Sequence, residues 1–198
     1  MIRGAGIVLR AMTAKDLDRI IDLSENVLEV GDFWTMRIPN RPKFEKRFLE
    51  TGFWEEEEGV LLIVDRIDDR LLGTIGFFKA SKYGEGFEIG YRIFNAADRR
   101  KGIMTEALKL FSAYLFDLNK IERLTVCTHV DNAASAGVAL KCGFRQEGIM
   151  RRAWFLHGEY ADLRLFSLLR DECPAFRDVL AEISASIQSV DADLAERT

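Results

Sequence analysis

The sequence predicts an α/β fold built on one mixed sheet, and three observations carry that reading. Residues 60–94 alternate strand-like runs with short turns, which is an antiparallel meander. The last of those runs leads directly into a helical repeat and then into another strand at 122–130. In that β–α–β order a right-handed crossover lays the two strands parallel. The chain has 198 residues, 48% of them hydrophobic, enough for one domain with a sizeable core.

Ile7-Val8-Leu9-Arg10 reads as the first strand. Thr13 caps the helix after it, and Asp16 three residues on completes a capping box with Asp in place of Glu. Leu17, Ile20, Ile21, Leu23, Val27 and Leu28 mark its buried side, and Gly31 ends it. The stretch from Asp32 to Pro42 is a loop with two prolines and the large apolar residues Phe33, Trp34, Met36 and Ile38. Ordinary loops are polar, so this one is expected to pack on the core or to wall a binding site, with the wall favoured. A second helix follows from Lys43 to about Leu49, closed by Gly52. The acidic run Glu55 to Glu58 reads as a solvated connection.

Val60–Asp65 and Leu71–Phe78 are strands joined by a turn over Asp68-Asp69-Arg70. Tyr83-Gly84-Glu85-Gly86 turns the chain into the strand Phe87–Phe94. Met104, Ala107, Leu108, Phe111, Leu115 and Leu118 then recur three and four apart, an amphipathic helix. The strand from Glu122 to Val130 places Leu124, Val126, Thr128 and Val130 on one face. A helix starts near Asp131 or Asn132 and reaches Cys142, with Gly143 as its stop. Phe144–Phe155 and Tyr160–Leu169 are long strands joined by a hairpin turn at His157-Gly158-Glu159. Pro174 opens a C-terminal helix to about Ile187, and a frayed polar tail follows. No repeat, low-complexity segment or linker interrupts residues 1–198, which read as one domain.

Composition narrows the function. A net charge of -4 disfavours generic nucleic-acid binding. Cys127, Cys142 and Cys173 are odd in number and lack metal-ligand spacing, so no metal is expected. They fit a reduced, cytoplasmic setting. The N-terminus lacks the apolar core of a signal peptide, and the longest apolar run, Val60 to Val64, is too short to span a membrane. No G-x-x-x-x-G-K-[ST] occurs, which argues against a Walker-type nucleotide site.

The join between the strand Phe87–Phe94 and the helix beyond it carries Arg99, Arg100, Lys101 and Gly102. A strand that ends in a short basic loop and turns into a helix builds an anion site. The first N–H groups of that helix have no internal partner, and the helix dipole adds positive potential there. On these residues the chain resembles a known family. Arg99-x-x-Gly102-x-Met104 is similar to the pyrophosphate loop, Gln/Arg-x-x-Gly-x-Gly/Ala, of the GNAT acetyltransferases. The run on to Thr105, Glu106, Ala107 and Leu108 is similar to the RimJ/RimL branch, whose members acetylate N-terminal amines of ribosomal proteins. Arg100 and Met104 stand where small residues are usual. Met104 can face the core with Leu108 and Phe111 and leave its N–H for a phosphate. Asn132 to Phe144 resembles the second block of the family, with Asn132-x-x-Ser135 similar to the RimJ/RimL version and a Lys141-x-Gly143-Phe144 ending. The resemblance covers about Ile7 to Leu169.

The resemblance implies a mixed, mostly antiparallel sheet, splayed open between its two central parallel strands, with helices on both faces. Acetyl-CoA would lie in that cleft. Its pantetheine would pair with the backbone of Tyr91, Ile93 and Phe94, and its pyrophosphate would sit on Arg99, Arg100, Lys101, Gly102, Ile103, Met104 and Thr105. Asn132 would bond the cofactor amide, Ser135 would point at the thioester sulfur, and Lys141 belongs to the same block. Asn132 and Ser135 are equally an N-cap and a first-turn residue of any helix. Many members place a Tyr a turn further along to protonate the thiolate. Ala139 stands there, which makes Ser135 the candidate for that role.

Acetyl transfer needs a neutral amine. An α-amino group, with a pKa of about 7.7–8.0, is roughly a tenth neutral at pH 7, whereas a lysine at about 10.4 is almost wholly charged. Glu88, on the strand lining the cleft, is the candidate base, with Glu159 and Asp162 as second choices. Backbone N–H groups near Ile93 would stabilise the tetrahedral intermediate. His129 reads as a strand-surface residue, His157 as a turn residue, and Cys127 and Cys142 as small core residues. The leading expectation is an N-acetyltransferase acting on a protein or peptide α-amine. The alternatives are a small-amine acetyltransferase (aminoglycoside, polyamine or amino-acid derivative) and a CoA-binding module without turnover. Exposed sheet edges and the aromatic loop fit a homodimer, and neither DNA nor a membrane is expected as a partner.

Overall fold

The computed structural model describes residues 1–25, 31–35, 40–79 and 86–196. Val27 and Leu28 of the first helix, Met36 and Ile38 of the aromatic loop and the Tyr83–Glu85 turn lie outside the described residues. The strands are β1 (Ile2–Arg3), β2 (Ile7–Arg10), β3 (Glu58–Asp65), β4 (Leu71–Phe78), β5 (Gly86–Ile93), β6 (Arg123–His129), β7 (Arg145–Leu156) and β8 (Glu159–Leu169). The helices are α1 (Leu17–Glu25), α2 (Arg41–Thr51), α3 (Ile103–Leu118), α4 (Ala133–Lys141) and α5 (Phe176–Glu196).

Local chemistry accounts for most boundaries. The Asp16 carboxylate takes the Thr13 N–H at 2.8 Å and its hydroxyl at 2.7 Å, the expected box, and a single 3₁₀ turn precedes α1. Helix α2 starts at Arg41, ahead of the expected Lys43, because Asn40 Oδ1 accepts the Lys43 N–H at 3.1 Å and Pro42 suits the first turn. The hairpin between β7 and β8 turns on His157 and Gly158, at φ 52° and 89°. That pair of left-handed residues matches the twist of the strands it joins. Two differences stand out. Strand β1 is two residues long, too short for any alternation to announce it. Helix α5 begins at Phe176 and continues to Glu196, past Ile187, because Leu194, Ala195 and Glu196 are good helix formers.

All eight strands share one sheet, in the order β1-β2-β3-β4-β5-β6-β8-β7. Only β5 and β6 run parallel, and they pair only from Gly86–Arg123 to Glu88–Thr125. Beyond that point β5 stays with β4 as far as Ile93, and β6 stays with β8 as far as His129. The sheet is therefore open between them, as the family resemblance implied. The register also fixes which backbone groups face the opening. Phe94 N–H donates to Leu72 O at 3.0 Å, and every second residue back along an antiparallel pair repeats that orientation. Phe94, Arg92 and Gly90 thus turn their amides toward β4. Ile89, Tyr91 and Ile93 turn theirs the other way: the Ile89 N–H is taken up in the last parallel pairing, at Glu88–Thr125, and Tyr91 and Ile93 face the opening. Phe94 is corrected on this ground: its N–H is engaged by β4 and cannot serve the cleft.

Side chains divide by the same alternation. One core joins Ile63, Ile75, Phe77 and Ile89 of the sheet to Leu108, Phe111 and Leu115 of α3, with Val179 of α5 at its edge. Met104 is buried there too, as expected, whereas Leu118, the last residue of α3, is exposed. The opposite face packs Leu62, Val64, Leu71 and Phe94 against Met12, Ile20 and Phe53 beneath α1 and α2. Helices cover both faces, and the opening connects them.

Candidate active site

The loop before α3 is built by two left-handed residues, Arg100 at φ 63° and Gly102 at φ 81°. Gly102 reaches that conformation without strain; Arg100 does so against the preference of its Cβ. Arg99, Arg100, Lys101 and Gly102 are all exposed, at the positive end of the 16-residue α3. Their side chains are not equivalent. Lys101 Nζ lies 3.5 Å from the buried Asp98 carboxylate, which Arg70 holds at 2.6 Å. The Arg99 guanidinium leans on Gly31, and Arg99 N–H donates to Ala96 O at 3.1 Å. In the first turn of α3 the Glu106 carboxylate accepts the N–H groups of Ala5 and Gly6, tying the N-terminal segment to the helix. Ile103, Met104 and Thr105, the first three residues of α3, have N–H groups without an intrahelical partner, next to the basic loop.

Across the opening, Asn132 caps α4 by accepting the Ser135 N–H at 3.0 Å, so its side-chain oxygen is engaged within its own helix. Ser135 Oγ lies 2.9 Å from the Tyr91 hydroxyl. That hydroxyl belongs to the side of β5 that faces α3 and α4, and burial pushes it up to about 12, with the Ser135 bond opposing. Ala139 is fully buried in the core. Cys142 Sγ donates to Thr105 O at 3.4 Å, joining the end of α4 to the first turn of α3. Lys141, the last residue of α4, is exposed.

Glu88 lies on the other side of β5, where the β5–β6 pairing ends. Burial raises its carboxyl above the ordinary range, against a hydrogen bond from Cys127. Cys127 is pushed up to about 12 by burial and by the Glu88 charge, and burial lifts Cys142 to about 12 and Cys173 to about 11. All three therefore stay protonated and non-nucleophilic at neutral pH.

Glu88, Gly90 and Arg92 share this side in alternation. A Cβ at Gly90 would meet only Phe78 Cε1, at 3.7 Å, so the glycine leaves an open lane between its two charged neighbours. The segment 31–35 roofs it. Phe33 stacks on His129 with centroids 5.0 Å apart, Trp34 covers the Arg92 guanidinium at 5.8 Å, and Asp32 O meets His157 Nε2 at 3.1 Å. Beneath that roof lies a cavity of about 530 Å³ between α1, α2 and the sheet. Arg92, Lys43 and Arg47 are among its lining residues, and no described lining residue carries a carboxylate.

The remaining candidates separate by their contacts. His129 and His157 both hold the roof. Asp162 Oδ1 accepts the Arg152 N–H at 2.8 Å where the β7 register shifts, a structural duty, and Glu159 is exposed at the hairpin. Glu55, Glu56 and Glu57 are exposed, consistent with a solvated run. Sequence reading missed the Tyr91 hydroxyl and Arg92. The period-two alternation of β5 was the available signal, since it puts Glu88 and Arg92 on one side and Tyr91 on the other. Among the described residues no cluster of His, Cys, Asp or Glu could hold a metal ion.

An open β5–β6 pair beside a basic helix N-terminus defines an acyltransferase architecture, and the comparisons agree. A family model described as acetyltransferase (GNAT) domain matches residues 7–145. The chain belongs to this family of N-acetyltransferases. It is 26% identical over 167 residues to the uncharacterized N-acetyltransferase YoaA of Bacillus subtilis, covering 83% of this chain and 93% of that one. It is 31% identical over 104 residues to the ribosomal-protein-serine acetyltransferase of Escherichia coli, covering 52% of this chain and 58% of that one. Among solved structures, spermidine N-acetyltransferase from Vibrio cholerae, in complex with CoA and spermine, superposes with TM-score 0.73 at 19% identity, covering 85% and 98%. RimL, the ribosomal L7/L12 α-N-protein acetyltransferase in complex with CoA, does so with TM-score 0.71 at 22% identity, covering 84% and 96%. These two likenesses establish the fold.

Proposed function

We propose that this enzyme moves the acetyl group of acetyl-CoA directly to the α-amine of a peptide or protein. The observation that carries the cofactor assignment is the opening itself. Tyr91 and Ile93 present backbone N–H and C=O groups beyond the last β5–β6 pair, and the amides of a pantetheine chain would satisfy them as a surrogate strand. The pyrophosphate would rest on the first-turn amides of α3, within reach of Arg100 and Lys101. Acetyl-CoA would then occupy the α3–α4 side, and the acceptor would arrive from the α1–α2 side, under the roof.

In the transfer, the neutral amine attacks the thioester carbonyl, the new C–N bond forms and the C–S bond breaks. Glu88, made more basic by burial, takes the proton that the amine sheds. The departing sulfur would lie toward Ser135 and Tyr91. A phenol pushed up to about 12 keeps its proton, so this pair stabilises the thiolate by hydrogen bonding rather than by protonating it. The Ile93 N–H faces the site where the oxyanion develops.

The acceptor side supports a peptide over a polyamine. The cavity presents cations and no carboxylate among its described lining residues, a poor match for a polycation. The test is CoA release with acetyl-CoA and a panel of peptide amines, polyamines and aminoglycosides. Peptide amines are expected to turn over fastest. Turnover confined to polyamines or aminoglycosides would overturn the reading, and tight acetyl-CoA binding with no turnover of any amine would indicate a CoA-binding module.

A further inference from the structure

Arg92 is a cation placed under the acceptor roof with its hydrogen-bonding capacity unmet. Its Nε is buried and makes no hydrogen bond. Among the described residues Nη2 reaches only Leu23 O, at 3.4 Å. The guanidinium lies 5.1 Å from the Phe94 ring and 5.8 Å from Trp34, with no carboxylate paired to it among the described residues. Phe94, Trp34 and Arg92 all line the cavity, so the rings flank the guanidinium at its wall. A guanidinium beside two rings, with only a long Nη2 bond to a carbonyl, keeps donors for a planar anion that accepts N–H bonds from its fork. Lys43 lines the same cavity and adds charge of the same sign.

We propose that Arg92 receives a carboxylate of the acceptor, so that the preferred substrate is a peptide N-terminus with an acidic side chain close behind its amine. This deepens the peptide reading and rests on it. The strand sets the spacing. Arg92 follows Glu88 by four residues on one side of β5, about 13 Å at 3.3 Å per residue. The open lane at Gly90 joins them. An extended peptide covers that distance in about four residues, and the reach of the acid's own side chain places it at the third or fourth position. A half-buried cation with no carboxylate partner among the described residues also gives the selectivity its sign. An amide at that position leaves the fork unsatisfied, and a lysine there meets repulsion.

The experiment compares kcat/KM for Ala-Ala-Asp-Ala-amide, Ala-Ala-Asn-Ala-amide and Ala-Ala-Lys-Ala-amide, with the acid also moved to positions two and four. The C-terminal amide removes the second carboxylate. Free glutamate serves as the arm for a small carboxylate-bearing amine. The aspartyl peptide is expected to exceed the asparaginyl one by about tenfold, the effect of one charge-assisted hydrogen bond, and to do so through KM. Arg92→Gln should collapse that ratio toward one, and Arg92→Lys should restore only part of it. The KM for acetyl-CoA, measured for each variant, reports whether the fold is intact. Peptides that all turn over at equal rates, or a ratio that survives in Arg92→Gln, would overturn the Arg92 assignment while sparing the peptide reading. Preference for free glutamate over every peptide would keep the carboxylate contact and overturn the peptide context. An absence of turnover with all of these, alongside turnover of spermidine, would overturn both.

Discussion

Glu88 carries two effects of opposite value. Burial raises its carboxyl, so the folded state holds a proton that the unfolded chain releases. Its contribution to stability is full below the ordinary carboxylate pKa and is lost as pH rises through the raised value. Glu88→Gln should therefore raise the melting temperature at pH 7 and leave it unchanged near pH 4, where the carboxyl is already neutral. The same variant should lose about 10²-fold in turnover at neutral pH. It should recover toward pH 9, where an α-amine of pKa about 7.7–8.0 deprotonates unaided. A uniform loss across pH in steady-state rates would instead mark Glu88 as structural. Tyr91→Phe tests the other side of the opening. Removing the hydroxyl 2.9 Å from Ser135 Oγ should lower kcat by about tenfold and leave the KM for acetyl-CoA little changed. An unaltered kcat would remove the Tyr91–Ser135 pair from the chemistry.

The α3 N-terminus contributes as an element, through amides that no single side chain supplies. Arg100 is informative because it stands left-handed, at φ 63°, a conformation its Cβ disfavours. Its charge and its backbone can be separated. Arg100→Ala and Arg100→Gly should both raise the KM for acetyl-CoA by about fivefold, the scale of an exposed charged contact to phosphate. The glycine variant should melt higher than the alanine variant, because a left-handed Cβ costs about 1–2 kcal/mol. An unchanged KM in both would place the pyrophosphate away from this loop. The second block works in the same way. Asn132 and Ser135 have a local reason to be where they are, the cap of α4, and it is the approach of β5 that turns Ser135 into part of a site.

On the scale of the whole molecule, the loop before α3 is anchored to the turn between β3 and β4. The buried Asp98 binds Arg70, from the turn before β4, through two bonds of 2.6 and 3.1 Å. The Arg70 hydrogen bonds, foremost, hold Asp98 below the usual carboxylate range. Stability gained this way is present above the unfolded carboxylate pKa and lost as pH falls through the lowered value. Asp16 behaves alike, held down chiefly by Arg10. Asp98→Asn should cost about 1–3 kcal/mol at pH 7, discounted because Arg70 is 39% exposed, and lower the melting temperature by roughly 3–8 °C. The deficit should shrink as pH falls below the ordinary carboxylate range and through the lowered Asp98 value. A deficit independent of pH would mean that packing, not charge, is what Asp98 supplies.

The sequence by itself determined the order of elements, the basic turn and the Asn132–Ser135 block, because periods of two and 3.6 and the chemistry of caps are local. It also placed Glu88 correctly on the strand that borders the opening. Tertiary structure alone decided that Phe94 turns its amide to β4, that Tyr91 meets Ser135 across 44 residues, and that Asp32 meets His157 across 125. Strand register and loop placement arise from packing between distant segments, and no local pattern encodes them. Arg92 shows the same division: alternation gives the side of the sheet it faces, and only the roof laid over it by Trp34 makes it an unpaired cation in a cavity.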